Sequence, residues 1–550
     1  MKQIHYFILI SILLIAFVLR FYKLEEIPPS LNWDEVSIGY NAYSILKTGK
    51  DEWGKLFPVH FKAYGEYKLP AQVYFSIPAI SIFGLNEFGV RITPVVYGTL
   101  TILIIFFLGR TLFQSSLVGL TAAFLLAISP WHIQLTRGSF ESSFATFWVT
   151  LAIWFLIKGF EQKKYLLISM IPFALSIFTY NSARIFTPLF LLINSFLYRK
   201  YLIKVKKMTI FSFIFFIVLL IPITPYLLSG DRSSRYKLVS ITDDPGLILR
   251  INENRGFSKL IQPLPKLIHN KITYVAFYVT SNYLAHFTPQ FLFISGAPHK
   301  QHNVQNMGEL YFFQAPFLII GIIGLFMKKN KFKELLFSWV FLAFIPVSVT
   351  NDSIPNALRT LIAVPFYQLV CAFGFLITYE WIKKFAKSVR IATFFILIVI
   401  IISSLIYYLN QYYNVYPVNY SKDWQYGYQQ AVDFVNKQVD NYDLIVFTRH
   451  YGEPHMFTLF YLKYDPAKYQ TNPNLVRFET HDWVRVLNFD KFYFPDLSDM
   501  GTRFEDIIKQ YRGKKILFIG KPGDFPSDIK PLKTINFLNG EEAFVLVESK

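Results

Sequence analysis

Residues 5–22 read HYFILISILLIAFVLRFY, with Arg20 the only full charge. That is close to the roughly 20 apolar residues an α-helix needs to cross a bilayer. No small-residue cleavage site follows, so the stretch is expected to stay in place as a first span rather than be removed as a leader. Comparable blocks recur at 88–108, 115–131, 142–157, 165–180, 184–198, 209–228, 310–327, 334–349, 359–379 and 391–409, which makes eleven expected spans. Composition agrees. Apolar residues are 53% of the 550 and charged residues 17%, against about a quarter charged in a soluble protein. The chain reads as a polytopic α-helical membrane protein.

The loops set the orientation. With the N-terminus inside, the inner loops 109–114, 158–164, 199–208, 328–333 and 380–390, together with Lys2, hold 18 Lys and Arg. Lys204, Lys206, Lys207, Lys328, Lys329, Lys383 and Lys384 are among them. The short outer loops hold mainly Arg137, Arg184 and Arg359. That asymmetry is the positive-inside pattern, expected of a multi-pass plasma-membrane protein with a cytoplasmic N-terminus. Two further apolar stretches, 67–85 and 271–296, would invert every later loop if they crossed. They carry proline and polar residues at intervals, so helices lying in the outer interface are expected there. The net charge of +19 sits in these short clusters and does not point to nucleic acid. Cys371, the single cysteine, excludes an internal disulfide or a thiolate metal site.

Two outer loops are long, 23–87 and 229–309, and belong to an expected transmembrane domain 1–409. Residues 410–550 turn soluble-like and are expected to form an extracytoplasmic α/β domain. Its helical pattern lies at 423–438 and its short apolar strands at 443–448, 514–519 and 542–548. Gly520-Lys521-Pro522-Gly523 lacks phosphate-loop spacing, and no repeat of solenoid length stands out.

The first outer loop carries Asn32-Trp33-Asp34-Glu35, followed by a Tyr/Ala-rich stretch ending at Gly49. Asn32 with Glu35 fits a helix capping box, and both acids suit a helix N-terminus. Asp34 also suits a general base that takes a proton from an attacking alcohol or amine. The two roles are compatible, since capping would orient the pair. Further on, Gly65-Glu66-Tyr67-Lys68-Leu69-Pro70 presents a lysine that either snorkels to headgroups or holds a phosphate as a compact point charge.

These residues resemble the lipid-carrier-dependent glycosyltransferases of the C-type membrane fold, glycosyltransferase family 39, which includes protein O-mannosyltransferases and the aminoarabinose transferases of lipid A. The match runs through Asp34-Glu35 to Gly49, Lys68-Leu69-Pro70, then Phe83-Gly84, Phe88 and Val90-Arg91. It continues with Ser129-Pro130-Trp131-His132, Thr136-Arg137-Gly138, Glu141, and Pro355-Asn356-Ala357-Leu358-Arg359 with Pro365. Leu69 replaces the first of two prolines, and Glu141 stands where many relatives have aspartate. The resemblance covers most of 20–410 and leaves 410–550 without a role.

It implies an enzyme that takes a sugar from a polyprenyl-phosphate donor at the outer face and passes it, with inversion, to a protein, glycan or lipid acceptor. Asp34 would be the base, with Glu35 or Glu141 orienting the acceptor or the cations. Lys68, Arg137, Arg184 and Arg359 would bind the donor phosphate, stabilising the charge that develops on it. A divalent metal is the only cofactor the pattern admits. Its ligands would be His299 and His302, with Glu309 near them in the loop, or Glu66. His132, at a span end, is expected at the interface, and Tyr180, Tyr278 and Tyr283 suit either a lipid-tail groove or sugar stacking.

Two rivals remain at this level. A lipid or polysaccharide transporter would share the spans and the basic outer mouth, but would place polar groups near the bilayer midplane. A polymerase or ligase using a lipid-diphosphate donor would need similar cations with a different acidic pattern.

Overall fold

The computed structural model describes residues 3–228, 239–244, 246–327, 330–480, 483–498 and 501–549. Lys328 and Lys329 of the inner-loop clusters lie outside the described residues, as does part of the outer loop 229–309. Each expected span carries a helix. Among the described residues six helices are long and apolar enough to cross a membrane: Gln3–Phe21, Glu87–Phe113, Glu141–Gly159, Lys206–Tyr226, Ala357–Ile382 and Lys387–Tyr420. The bent pair Ser116–Ile128 and Pro130–Arg137, which turns by 57°, makes a seventh if counted as one span. The remaining expected spans are shorter helices, such as Lys164–Ile177 and Gln314–Met327. The segments read as interfacial hold helices Pro70–Phe83 and Lys271–Ala285, of 14 and 15 residues, short of a span.

The chain divides into two compact units, and the division differs from a single break after residue 409. The first contains Met1–Arg20, Val95–Thr136 and Phe140–Leu409; the second contains Phe21–Pro94, Arg137–Ser139 and Asn410–Lys550. The first outer loop therefore groups with the tail.

In the helical unit, small residues let backbones approach, as in membrane bundles generally. A Cβ on Gly374 would lie 1.9 Å from the Phe317 carbonyl oxygen, so helices Gln314–Met327 and Val364–Ile382 can meet only at glycine there. The bend at Pro130 has its own support. Proline offers no N–H to the preceding turn, and the buried Arg20 donates to the Leu126 and Ala127 carbonyls at 3.3 and 3.0 Å. It also donates to the Ala16 carbonyl and Thr136 Oγ1, both at 3.0 Å, and meets His132 Nδ1 at 2.8 Å. His132 is therefore fully buried against a cation rather than placed at an interface.

The second unit is α/β. Its seven-stranded sheet runs in the order Val476–Glu479, Val484–Phe489, Phe492–Tyr493, Leu444–Phe447, Ile516–Gly520, Glu542–Ser549, Lys533–Asn536. The central strand Leu444–Phe447 pairs in parallel with both neighbours, and the outer pairings are antiparallel. Central burial on both faces explains why LIVF and ILFIG are continuous apolar runs. One hydrophobic core joins this sheet to the first outer loop. Val36, Tyr40 and Ile45 of helix Trp33–Thr48 are buried with Tyr428, Val432, Phe457, Phe460, Leu517 and Phe544. Each such side chain contributes about 1.5–3 kcal/mol on burial. Polar ties reinforce the join: Gln470 Nε2 donates to the Asp51 carbonyl at 2.8 Å, and the Arg477 guanidinium stands 4.0 Å from the Trp53 ring centre.

Candidate active site

Helix Trp33–Thr48 starts where the sequence places it. Asn32 Oδ1 accepts the Glu35 N–H at 3.0 Å, and Glu35 Oε2 accepts the Asn32 N–H at 3.1 Å, completing the capping box. Gly49 ends the helix in the left-handed region at φ 70°, where a side chain would be strained.

The two adjacent carboxylates then separate in role. Glu35 is fully buried. Its Oε1 accepts from Arg91 Nε at 3.0 Å and from the Ser139 N–H at 3.0 Å, and its Oε2 accepts from Arg91 Nη2 at 3.1 Å. Arg91 is buried too, and also donates to the carbonyls of Leu24 (3.2 Å), Pro28 (2.8 Å) and Ser30. The pair fastens the segment 24–35, the start of helix Glu87–Phe113 and the turn at Ser139 into one piece. Both Glu35 oxygens are thus committed inside the protein, where they hold Arg91 and anchor the helix start.

Asp34 faces the other way, with its side chain 39% exposed. Lys68 Nζ, on a side chain only 4% exposed, donates to Asp34 Oδ1 at 2.6 Å. Glu66 stands 4.0 Å from the same ammonium. Among the described residues Asp34 Oδ2 accepts no hydrogen bond. The lysine comes from the hairpin Phe61–Ala63/Glu66–Lys68, and Pro70 begins the next helix immediately after it.

The C-terminal domain contacts this site directly. Gln425 Oε1 accepts the Trp33 N–H at 2.8 Å, while Gln425 Nε2 donates to the Tyr451 carbonyl at 2.7 Å. Gly452, at φ 133°, passes so close that a Cβ there would lie 2.6 Å from the Trp33 ring and 2.4 Å from Gln425 Nε2. Tyr64 donates to the Trp33 carbonyl at 2.7 Å and stacks on Trp483 at 6.0 Å and 11°. Trp483 in turn packs at 6.0 Å on Trp33 and donates to the buried Glu453. Burial pushes the Glu453 carboxyl up to about 6 and the Glu52 carboxyl up to about 7.

The other expected residues fall elsewhere. Arg137 is fully buried, donating to the carbonyls of Tyr22 (2.7 Å), Lys23 (3.1 Å) and Ile27 (2.8 Å) and to the hydroxyls of Tyr412 and Tyr413 at 3.1 and 3.2 Å. It clamps these segments together, and its planar fork is filled by them. In the helical unit Arg359 binds Asp352 at 2.6 Å and Thr350 Oγ1 at 3.0 Å. Arg184 lies 5.2 Å from the Tyr226 ring centre, and its Nη1 is buried without an acceptor among the described residues. Glu141 takes a first-turn position in helix Glu141–Gly159, where the helix dipole favours an acid.

Among the described residues no three His, Cys, Asp or Glu side chains gather as metal ligands would. His299 and His302 stack face to face, ring centres 3.7 Å apart, so their nitrogens run side by side rather than converging. Glu309 is buried, accepts from the Ala297 N–H and Asn303 Nδ2, and is pushed by burial up to about 8. Glu66 stands beside Lys68 instead.

Over 98% of this chain and 97% of its own, ArnT from Cupriavidus metallidurans, solved with undecaprenyl phosphate bound, superposes with TM-score 0.53 at 12% identity. The chain shares the fold of that protein. The Archaeoglobus fulgidus oligosaccharyltransferase, solved tethered to an acceptor peptide, gives TM-score 0.52 at 16% identity over 84% of this chain. The chain spans 63% of that protein's length. Residues 70–226 match the family described as dolichyl-phosphate-mannose-protein mannosyltransferase. No curated protein sequence matches the chain. Arg91, which sequence reasoning used only as part of a motif, emerges as the partner that fixes Glu35. Its signal was a lone charge among apolar residues at the start of a span.

Proposed function

We propose that this C-type-fold protein is a glycosyltransferase that moves a sugar from a polyprenyl-phosphate donor to an acceptor nucleophile, with Asp34 as general base. The observation that carries this is Asp34 itself. One oxygen is held by Lys68 and the other is uncommitted, on a helix start that Glu35 and Arg91 make rigid. The family match over 70–226 and the fold shared with a structure holding undecaprenyl phosphate support the donor class.

In the reaction the acceptor oxygen attacks the anomeric carbon while its proton passes to Asp34 Oδ2. The bond from that carbon to the phosphate oxygen breaks with its electron pair, releasing polyprenyl phosphate. Attack opposite the leaving group inverts the anomeric centre. Lys68 is the positioning residue that fixes the carboxylate's angle. The transfer takes place on the outer face, with the N-terminus in the cytoplasm, a reading that the distribution of Lys and Arg supports.

The test uses purified protein in nanodiscs with a panel of polyprenyl-phosphate sugars and a cell-envelope extract as acceptor source. Release of polyprenyl phosphate should need extract and fall by a factor of about 10²–10⁴ in Asp34→Asn, the range of a lost general base. Full release by that variant would overturn the assignment. Donor binding without release in either protein would favour a transporter.

A further inference from the structure

The last apolar helix, Lys387–Asn410, has one buried side chain among its 24 residues, Tyr408. Its first half nonetheless bounds a cleft of about 810 Å³ against the end of helix Val364–Ile382. Lys387, Arg390, Ile391, Phe394, Phe395 and Ile398 line one wall. They recur at steps of three and four, so all six share one face of the helix. Tyr379 and Lys383, four residues apart, line the facing wall. Cations and apolar groups therefore meet in a single space, and in order. The three charges lie at the loop end, and the apolar side chains run on to Ile398, roughly 17 Å along the axis from Lys387.

One of the three charges is answered by the protein. Lys383 Nζ binds Glu380 at 2.9 Å and lies 4.3 Å from the Tyr379 ring centre. Among the described residues neither Lys387 nor Arg390 has an acidic partner. Arg390 Nε is moreover buried without a hydrogen-bond acceptor among them. Buried polar atoms are normally satisfied, and an exception calls for a partner from outside the chain. Nothing apolar can supply one. Two uncompensated cations at the head of an apolar trough attract a lipid anion, as basic pockets between membrane helices do. A guanidinium also offers Nε and Nη as a planar fork that fits two phosphate oxygens.

We propose that this cleft seats one anionic phospholipid, separate from the Asp34 site. Two phosphate oxygens accept from Arg390 Nε and Nη, Lys387 and Lys383 flank the phosphate, and an acyl chain lies along Ile391, Phe394, Phe395 and Ile398. The lipid lies between two helices that meet there through the Phe394 and Tyr379 rings, 5.8 Å apart, and fastens the last helix to the bundle. A zwitterionic lipid brings its own cation and leaves these uncompensated. The loop 380–390 belongs to the face that the Lys and Arg distribution marks as inner, whereas the proposed polyprenyl donor is used at the outer face, so the occupant is a phospholipid and not the donor.

The test is native mass spectrometry of the full-length protein titrated with dioleoylphosphatidylglycerol, dioleoylphosphatidylcholine or undecaprenyl phosphate. One phosphatidylglycerol should be retained, and retention should fall with salt. The variant Lys383→Gln/Lys387→Gln/Arg390→Gln should bind on the order of 100-fold more weakly, about fivefold per charge. Arg390→Lys keeps the charge but loses the fork, and should bind several-fold more weakly. Both variants should melt like wild type without added phosphatidylglycerol. Lys204→Gln/Lys206→Gln/Lys207→Gln, in another inner-loop cluster, should bind like wild type. Equal retention of phosphatidylcholine, unchanged binding by the first triple variant or by Arg390→Lys, an equal loss in the Lys204 variant, displacement by equimolar undecaprenyl phosphate, or a dimer that retains no lipid would each overturn the proposal. None of these readouts depends on transferase activity, so the two proposals fail separately.

Discussion

Glu35→Gln and Asp34→Asn are equally conservative changes one residue apart, and their consequences should be opposite. In Glu35→Gln the amide nitrogen must face one of three donors: Arg91, the Asn32 N–H or the Ser139 N–H. The Arg91 charge stays buried without its counter-ion. Breaking a buried pair from one side costs about 3–5 kcal/mol. For a unit of roughly 150–250 residues each kcal/mol moves the melting temperature by about 2–4 °C, so a fall of about 6–20 °C is expected. Asp34→Asn removes an ion pair whose acid is 39% exposed, worth about 1 kcal/mol or less, and should melt within about 4 °C of wild type while losing turnover. The assay is intrinsic fluorescence during heating in nanodiscs, alongside polyprenyl-phosphate release. If Glu35→Gln melts like wild type yet is inactive, Glu35 belongs to the chemistry and the anchoring role is refuted.

Arg137→Lys should lower the melting temperature by several degrees and leave donor binding unchanged, because an ammonium cannot serve three carbonyls and two tyrosine hydroxyls at once; a phosphate ligand would instead show weaker donor binding in a lipid titration. Glu52, raised to about 7 by burial, binds its proton more tightly folded than unfolded. The stability it contributes is therefore complete below about pH 4.5 and is lost as pH rises through about 7; Glu52→Gln should flatten that decline in a melting series. Gly452→Ala, strained at φ 133° and pressed against Trp33, should displace the Asp34 helix start and cut turnover by more than about tenfold, measured as release rate at saturating donor.

Much of this arrangement was legible in the sequence because it is local. Asn32, Glu35 and Gly49 announce a capped helix through spacing alone, and the structure forms it. Apolar blocks announce helices, though several are shorter than a full span, since proline breaks such as Pro130 shorten a helix without changing its hydropathy. What stayed hidden depends on long-range pairing. Which of Glu35 and Asp34 is buried is set by Arg91, 56 positions from Glu35, and by Ser139, 104 positions from it. A loop arginine and a clamp have the same local sequence, and only the long-range carbonyls of Tyr22, Lys23 and Ile27 reveal that Arg137 is held as a clamp. The reach of Gln425 to Trp33, across 392 positions, has no local signature.

That last contact changes what the tail is for. A base on an outer loop would ordinarily share the loop's mobility, and a misplacement of about 1 Å can cost a factor of about 10² in rate. Here the loop's helix is buried in the same core as the tail's sheet, its first N–H outside the cap is bound by Gln425, and its tryptophan is wedged by Gly452 and Trp483. The carboxylate thus rests on a folded domain of its own. Exposure of Asp34 and burial of Lys68 follow from the same construction: the hairpin carrying Lys68 is held at its turn by the Val484 N–H, which donates to the Tyr64 carbonyl, and beside it by the Lys62–Glu479 ion pair. If Asp34 is the base, as proposed, residues 410–550 are part of what aims it, although their own sequence carries no catalytic motif.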